Sequence, residues 1–262
     1  MKNLTITIVA FLLITCIACN NPFSHSHDHE DGHSHDHTKE HKHDHSRHKH
    51  DHAEGHKHDH SGHKHNHGDA NEHMHQTSFE ELVERFEGKD RDAYQKPNEV
   101  VRLLGDLKGK KIIDIGAGTG YFSFALAKTG AHVIAADVDQ RFLDYITNKR
   151  EKLGLNDDHV SVKKVPYDSP DLKNNEVDKA IIVNTYHHIE DRSAYFSKVK
   201  KGLKANGELI VIDFFKKETP MGPPVKMKMS EEQVVAELKA AGFEQFDVNQ
   251  KLLPYQYIIR AR

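Results

Sequence analysis

The sequence predicts an α/β domain built on an open, mostly parallel sheet and preceded by a leader that cannot fold into a core. Three observations carry this. Residues 24–76 hold almost no large apolar side chains, whereas from Phe79 onward the composition is that of an ordinary globular chain. The stretch KKIIDIGAGTGYFSFALAKTG, residues 110–130, reads as a short buried strand, a glycine turn and an amphipathic helix. After it, short apolar runs that end in an acid or an amide alternate with stretches of helical spacing.

The chain divides at the composition break into residues 1–19, 20–77 and 78–262. Its 262 residues allow one domain of ordinary size with extensions, and a net charge of −3 gives no basic excess that points to nucleic acid. Both cysteines, Cys16 and Cys19, lie in the leader. The folded part is therefore without disulfides, cysteine-ligated zinc, a thiol nucleophile or a cysteine-bound iron–sulfur cluster.

The leader opens with Lys2 and an apolar run from Ile6 to Ile17, too short to span a bilayer comfortably and shaped like a signal peptide. It closes on CIAC. The small Ala18 directly before Cys19 resembles a bacterial lipoprotein signal, in which Cys19 becomes the lipidated first residue, although Cys16 stands where a leucine is usual. An ordinary cleaved signal and an uncleaved anchor are the alternatives. All three place the domain outside the cytoplasm, in the cell envelope, and the first gives it a membrane partner through a lipid anchor.

Residues 25–75 contain twenty histidines, mostly alternating with Asp, Lys or Ser. HKHDH occurs at His41, His43 and His45, again at His48, His50 and His52, and again at His56, His58 and His60; HKHNH follows at His63, His65 and His67. No unit has an apolar face to stack, so these repeats build no solenoid. Neutral imidazole is a good ligand for Zn, Ni and Cu, and a flexible chain gathers several around one ion. The expectation is divalent metal binding with no fixed site, lost near roughly pH 5 as imidazoles of pKa ~6.5 become protonated. A soluble spacer holding the domain off a membrane is a compatible second reading.

In the folded part, FEELVERFEG and KPNEVVRLLGDL read as two helices before the sheet, with Pro97 in a helix's first turn. Gly116, Gly118 and Gly120 then form a strand-to-helix turn at the carboxyl edge of the sheet, where open α/β sheets bind ligands and where a bare backbone permits close approach. The spacing is not G-x-G-x-x-G, because Tyr121 sits where the third glycine would fall, and no Lys-Ser/Thr pair makes a P-loop. AHVIAADVD is a second strand ending in Asp137, an acid able to accept both hydroxyls of a ribose. VSVKKVPYDS reads as a third strand ending at Asp168, VDKAIIVNTYHHIED as a fourth with Asn184 at its end, and LKANGELIVIDFFK as a turn and fifth strand ending near Asp213. KKETPMGPPVKMKMS, with three prolines, is a loop suited to a substrate lid. SEEQVVAELKAAGF is a helix capped by Ser230 and stopped at Gly242, and FDVNQKLL with YQYIIRAR reads as an antiparallel pair turned at Pro254.

The segment DIGAGTG resembles motif I of class I S-adenosylmethionine-dependent methyltransferases, and the later segments match that family's in order over about residues 92–262. The resemblance implies a Rossmann-like, seven-stranded, mostly parallel sheet of order 3-2-1-4-5-7-6 with helices on both faces. It implies S-adenosyl-L-methionine as cofactor and a small-molecule methyl acceptor. It also implies that Gly116, Ala117, Gly118 and Gly120 form the cofactor loop, that Asp137 and Val138 meet the ribose side and Asp168 the adenine, and that Asn184 lines the methionine side while Asp114 orients the loop. RDAYQKP, residues 91–97, resembles a segment of a bacterial, often exported, methyltransferase group, in which Tyr94 covers the cofactor pocket; a core aromatic is the alternative.

Methyl transfer to a hydroxyl or an ammonium needs a general base. His187 and His188, just past strand four, and Asp213, ending strand five, are the candidates; local packing or capping is the alternative for each. S-adenosylmethionine is made in the cytoplasm and the leader points outward. Three readings follow: a small-molecule methyltransferase, a metal-buffering lipoprotein whose domain binds ligand without turnover, and a methylase of metal or metalloid species, ranked last for want of cysteines in the domain.

Overall fold

The computed structural model describes residue 74 and residues 76–262. The leader, Cys19 and the histidine tract lie outside the described residues. Three helices precede the sheet: α1 (Phe79–Phe86), α2 (Arg91–Gln95) and α3 (Pro97–Leu103). α1 begins in a capping box in which Ser78 and Glu81 satisfy each other's backbone N–H groups. RDAYQ, between the two helices that the sequence predicts, folds as α2. The break from α3 falls at Lys96, which adopts a left-handed φ of 42° before Pro97, because a residue preceding proline is sterically turned out of the right-handed helix region.

The sheet comprises β1 (Lys111–Ile115), β2 (His132–Asp137), β3 (Val160–Lys164), β4 (Val177–Val183), β5 (Leu203–Phe214), β6 (Phe246–Asn249) and β7 (Gln256–Ala261). Their order is β3-β2-β1-β4-β5-β7-β6, as the resemblance implied. β1 to β5 pair in parallel and β7 runs antiparallel to both β5 and β6. The crossovers are α4 (Tyr121–Ala127), α5 (Gln140–Lys152), α6 (Arg192–Gly202) and α7 (Glu231–Ala240).

Two strand boundaries differ from the sequence reading. β3 stops at Lys164, so Asp168 lies in a connection and not at a strand end; Pro166, without an N–H, cannot continue the ladder. β5 begins at Leu203, opposite Val177, and its pairing resumes at Glu208 opposite Lys179, so the KANG turn bulges out of one longer strand.

Alternate residues of the central strands enter two apolar layers. Ile113, Ala180, Ile182, Leu209 and Val211 pack with Phe196, Val199 and Leu238 of α6 and α7. Ile112, Val133, Ile181, Ile210 and Ile258 pack with Val100, Phe122 and Leu126 of α3 and α4. Burial on both faces explains why these strands read as continuous apolar runs, and each such valine, leucine, isoleucine or phenylalanine side chain contributes about 1.5–3 kcal/mol. This rigid sheet aims the carboxyl ends of β1, β2, β4 and β5 at one edge. Among the described residues no helix is long and apolar enough to cross a membrane.

Candidate active site

The turn after β1 is shaped by three glycines with φ of 69°, 54° and 76°, at Gly116, Gly118 and Gly120. A Cβ on Gly116 would lie 2.4 Å from Thr185 Cγ2, and one on Gly120 would lie 2.8 Å from the Phe124 ring. Both positions need glycine for conformation and for space. The Gly116 and Ala117 N–H groups donate to the Ala136 carbonyl at 2.9 and 3.1 Å, tying the turn to the end of β2.

That strand end carries Asp137. Its Oδ2 accepts from the Gly118 N–H at 2.9 Å and its Oδ1 from the Asp139 N–H at 2.9 Å. The carboxyl group is buried, and burial raises its pKa against the lowering effect of those backbone bonds. A carboxylate offers about four lone-pair sites, so acceptor capacity remains for a diol. Val138, half-buried, packs against the apolar layer beside it. Asp114, on β1, accepts from Ser123 Oγ at 2.6 Å. Burial pushes its carboxyl up to about 6, while the Ser123 bond and the Arg91 guanidinium pull it down.

Asn184, the residue after β4, is held at φ 55° and accepts from Gln256 Nε2 at 2.5 Å. Asp168 departs from the adenine role that the resemblance implies in one respect: its side chain is exposed and paired with Lys198 at 3.1 Å.

Beyond Asn184 the chain forms a 3₁₀ turn, Tyr186–His188. Here the structure brings together two of the three base candidates. His187 Nδ1 lies 3.0 Å from Asp213 Oδ2, and both side chains are buried. Asp213 Oδ1 accepts from the Phe214 N–H at 2.8 Å. The carboxylate can only accept, so it fixes the proton on Nδ1 and leaves Nε2 of His187 as the basic nitrogen. His188 lies against His187, with ring centroids 4.4 Å apart and planes tilted by 35°. Its pKa is depressed to about 4, first by burial and then by His187.

RDAYQKP is a clasp between the N-terminal helices and this edge. Asp92 accepts from the Tyr121 hydroxyl. Tyr94 lies 6.2 Å, centroid to centroid, from both Phe214 and Tyr255, so it joins the β5–β7 side of the edge. Gln95 Nε2 donates to Gln256 Oε1 at 3.3 Å, and Lys96 Nζ donates to the Leu252 carbonyl at 3.1 Å. On the other side Phe86 of α1 stacks on Phe142 and lies 3.3 Å from where a Gly118 Cβ would be, roofing the turn. Thr185, Phe86, Gln95 and Gln256 were not singled out from the sequence. RDAYQKP was the visible signal for the clasp; Thr185 and Gln256 meet their partners only through the fold.

A turn left bare at its carboxyl edge, faced by an acid one strand away, defines a Rossmann-like domain that seats a nucleoside. The residues fit such a ligand. Asp137 keeps free lone pairs, and Thr119 Oγ1 in the same turn is buried with no hydrogen-bond partner among the described residues. Comparison with known families matches the Methyltransferase domain family over residues 106–257, more than half the chain, and the protein belongs to that family. An uncharacterized methyltransferase of Bacillus subtilis is 26% identical over 153 residues, which are 58% of this chain and 81% of that protein. Phosphoethanolamine N-methyltransferase 1 of Triticum aestivum is 30% identical over 130 residues, 47% of this chain and 25% of that protein. A solved SAM-dependent methyltransferase from Aquifex aeolicus superposes with a TM-score of 0.65 at 26% identity, covering 71% of this chain and 98% of that one. The chain spans 49% of an uncharacterized Haemophilus influenzae relative that is 30% identical over 129 residues, 48% of this chain, and a quarter of the wheat enzyme.

Proposed function

We propose that this protein is an S-adenosylmethionine-dependent methyltransferase acting on a small molecule whose accepting group is a hydroxyl or an amine. The observation that carries the reading is the Asp137 carboxylate, anchored on the Gly118 N–H of a turn whose left-handed backbone Gly116 and Gly120 permit. Gly116, Ala117, Gly118 and Gly120 are the floor of the cofactor seat, Asp137 the ribose partner with Val138 beside it, and Asn184 and Asp114 the methionine side. Asp168 serves the adenine only after leaving Lys198.

When bound, S-adenosylmethionine supplies a sulfonium methyl group open to in-line displacement. The protein's own contribution is position and proton transfer. His187 Nε2 takes the proton that the acceptor's O–H or N–H must lose. Asp213 holds the imidazole in the required tautomer and stabilises the imidazolium that results. Phe214, Tyr94 and Tyr255 form an aromatic wall next to this dyad, and Phe86 with Phe142 shields the turn from water. His188, held neutral by burial, packs the dyad.

Calorimetry with S-adenosylhomocysteine and a turnover screen against phenols, alcohols and amines test this reading. Submillimolar binding weakened by Asp137→Ala supports it. His187→Gln and Asp213→Asn are each expected to lower turnover by about 10²–10⁴-fold with product binding retained. No binding at any concentration reached ends the enzymatic reading. The export signal, the lipid anchor on Cys19 and zinc, nickel or copper binding by the histidine tract complete the proposal, resting on sequence alone: an envelope methyltransferase with a metal-binding tail.

A further inference from the structure

Phe214, the ring next to Asp213, lies under the segment that joins β5 to α7. Both roots of that segment are pinned to β7. The Phe215 N–H donates to the Tyr255 carbonyl at 3.1 Å, and the Met229 carbonyl accepts from the Tyr257 hydroxyl at 3.3 Å. Between the roots the chain has three prolines and one 3₁₀ turn, Val225–Met227. Gly222, with φ of 94°, lies against the Phe214 ring: a Cβ there would fall 2.7 Å from Cδ1 and 2.8 Å from Cδ2 and Cε1. Glycine alone permits so close an approach.

One side chain ties this stretch together. Lys228 is only 2% exposed. Its Nζ donates to the Lys217 carbonyl at 2.8 Å and to Thr219 Oγ1 at 2.6 Å, and that hydroxyl donates to the Met221 carbonyl at 2.6 Å. The ammonium also stands 5.5 Å from the centroid of the Phe214 ring. A single cation therefore joins the start of the stretch, its tip and the ring beneath it. Both of its hydrogen-bond partners are neutral, and burial lowers its pKa against the charges of Glu218 and Asp213. Apolar packing would fix the stretch more firmly, because a buried charge gives up its water and recovers only part of that cost from neutral partners. A fastening of this kind holds a segment in place and also lets it go, as loops beside binding sites must.

We propose that Lys228 is a positioning residue whose ammonium buckles residues 217–228 over Phe214, and that release of this buckle opens the acceptor side of the site. The inference rests on the functional reading above for naming that side; the buckle itself is measured without an acceptor.

The chain contains no tryptophan, so Phe214→Trp places its one indole under the segment. Acrylamide quenching of that indole is compared in the full chain with and without Lys228→Met. Native trypsin digestion and S-adenosylhomocysteine calorimetry are run on the chain that keeps Phe214, so they stand if the indole is not accommodated. Lys228→Met is expected to raise quenching about threefold and to speed cuts after Lys216, Lys217 and Lys226 about tenfold, while cuts elsewhere in the domain and S-adenosylhomocysteine affinity stay within about twofold of wild type. Lys228→Arg keeps the charge and the donors and is expected to recover most of both signals. Thr219→Val removes one partner of the ammonium; an intermediate response is expected, and it carries the test if Lys228→Met does not fold. Unchanged quenching and cutting mean that nothing is buckled, faster cuts throughout the domain mean that Lys228 only fills the core, and Lys228→Arg as open as Lys228→Met means that the charge is not the fastening. Each of these overturns the inference and leaves the cofactor reading standing. Wild type that binds no S-adenosylhomocysteine overturns the cofactor reading and leaves the buckle to be judged by digestion.

Discussion

Gly116→Ala is the sharpest perturbation of the cofactor seat. The alanine Cβ would lie 2.4 Å from Cγ2, 2.6 Å from Oγ1 and 2.9 Å from Cβ of Thr185, on a backbone with φ of 69°. The left-handed conformation alone costs an alanine roughly 1–2 kcal/mol. Overlap with a packed side chain adds about 1–3 kcal/mol. Urea unfolding of the variant is therefore expected to show a loss of about 2–5 kcal/mol. Thr185→Gly removes all three overlapping atoms and by itself costs about 0.5–1 kcal/mol through backbone entropy. In the double variant the overlap disappears, so the two changes are expected to couple favourably by about 1–3 kcal/mol, the left-handed cost remaining. S-adenosylhomocysteine affinity should fall at least about tenfold in Gly116→Ala, because the turn or Thr185 beside it must shift. A single variant as stable as wild type, or a strictly additive double variant, refutes the account of the turn.

Three further outcomes are expected. Asp114 has its carboxyl pushed up from 3.8 to about 6, burial being the largest cause. Its contribution to stability is whole below the lower value and lost as pH rises through the upper, so Asp114→Asn should remove a decline on the order of 3 kcal/mol between pH 4 and 7, read from unfolding curves. His188 shows the reverse: with its pKa lowered from 6.5 to about 4, the folded state resists a proton that the unfolded chain accepts, and stability is lost as pH falls across that range. His188→Gln should flatten this acid limb by roughly 3 kcal/mol in the same measurement. A peptide covering the histidine tract and ending near Gln76 should bind zinc or nickel at pH 7.5 and release it near pH 5, as titration with a competing indicator would record; binding unchanged between the two would exclude imidazole ligation.

Much of the site was legible in the chain. Glycines at two-residue spacing after an apolar run, and an acid at the end of the next run, are local patterns, and local patterns survive without the fold. The same holds for Ser230 as a cap and Gly242 as a stop. Asp168 was misplaced at a strand end because the boundary depends on where pairing ceases, and Pro166 ends it early. Position alone made His187, His188 and Asp213 equal candidates. Only the pairing of β4 with β5 brings His187 to Asp213, with the His188 ring tilted against His187.

From its residue order alone this chain determines an α/β domain, a bare turn and the acids that face it, because backbone freedom and strand periodicity are properties of short segments. The tertiary structure decided which imidazole meets a carboxylate, which side chain closes on Gly116, and that Tyr94 meets Phe214 and Tyr255. Those relations join residues far apart in sequence, through packing that no local pattern encodes.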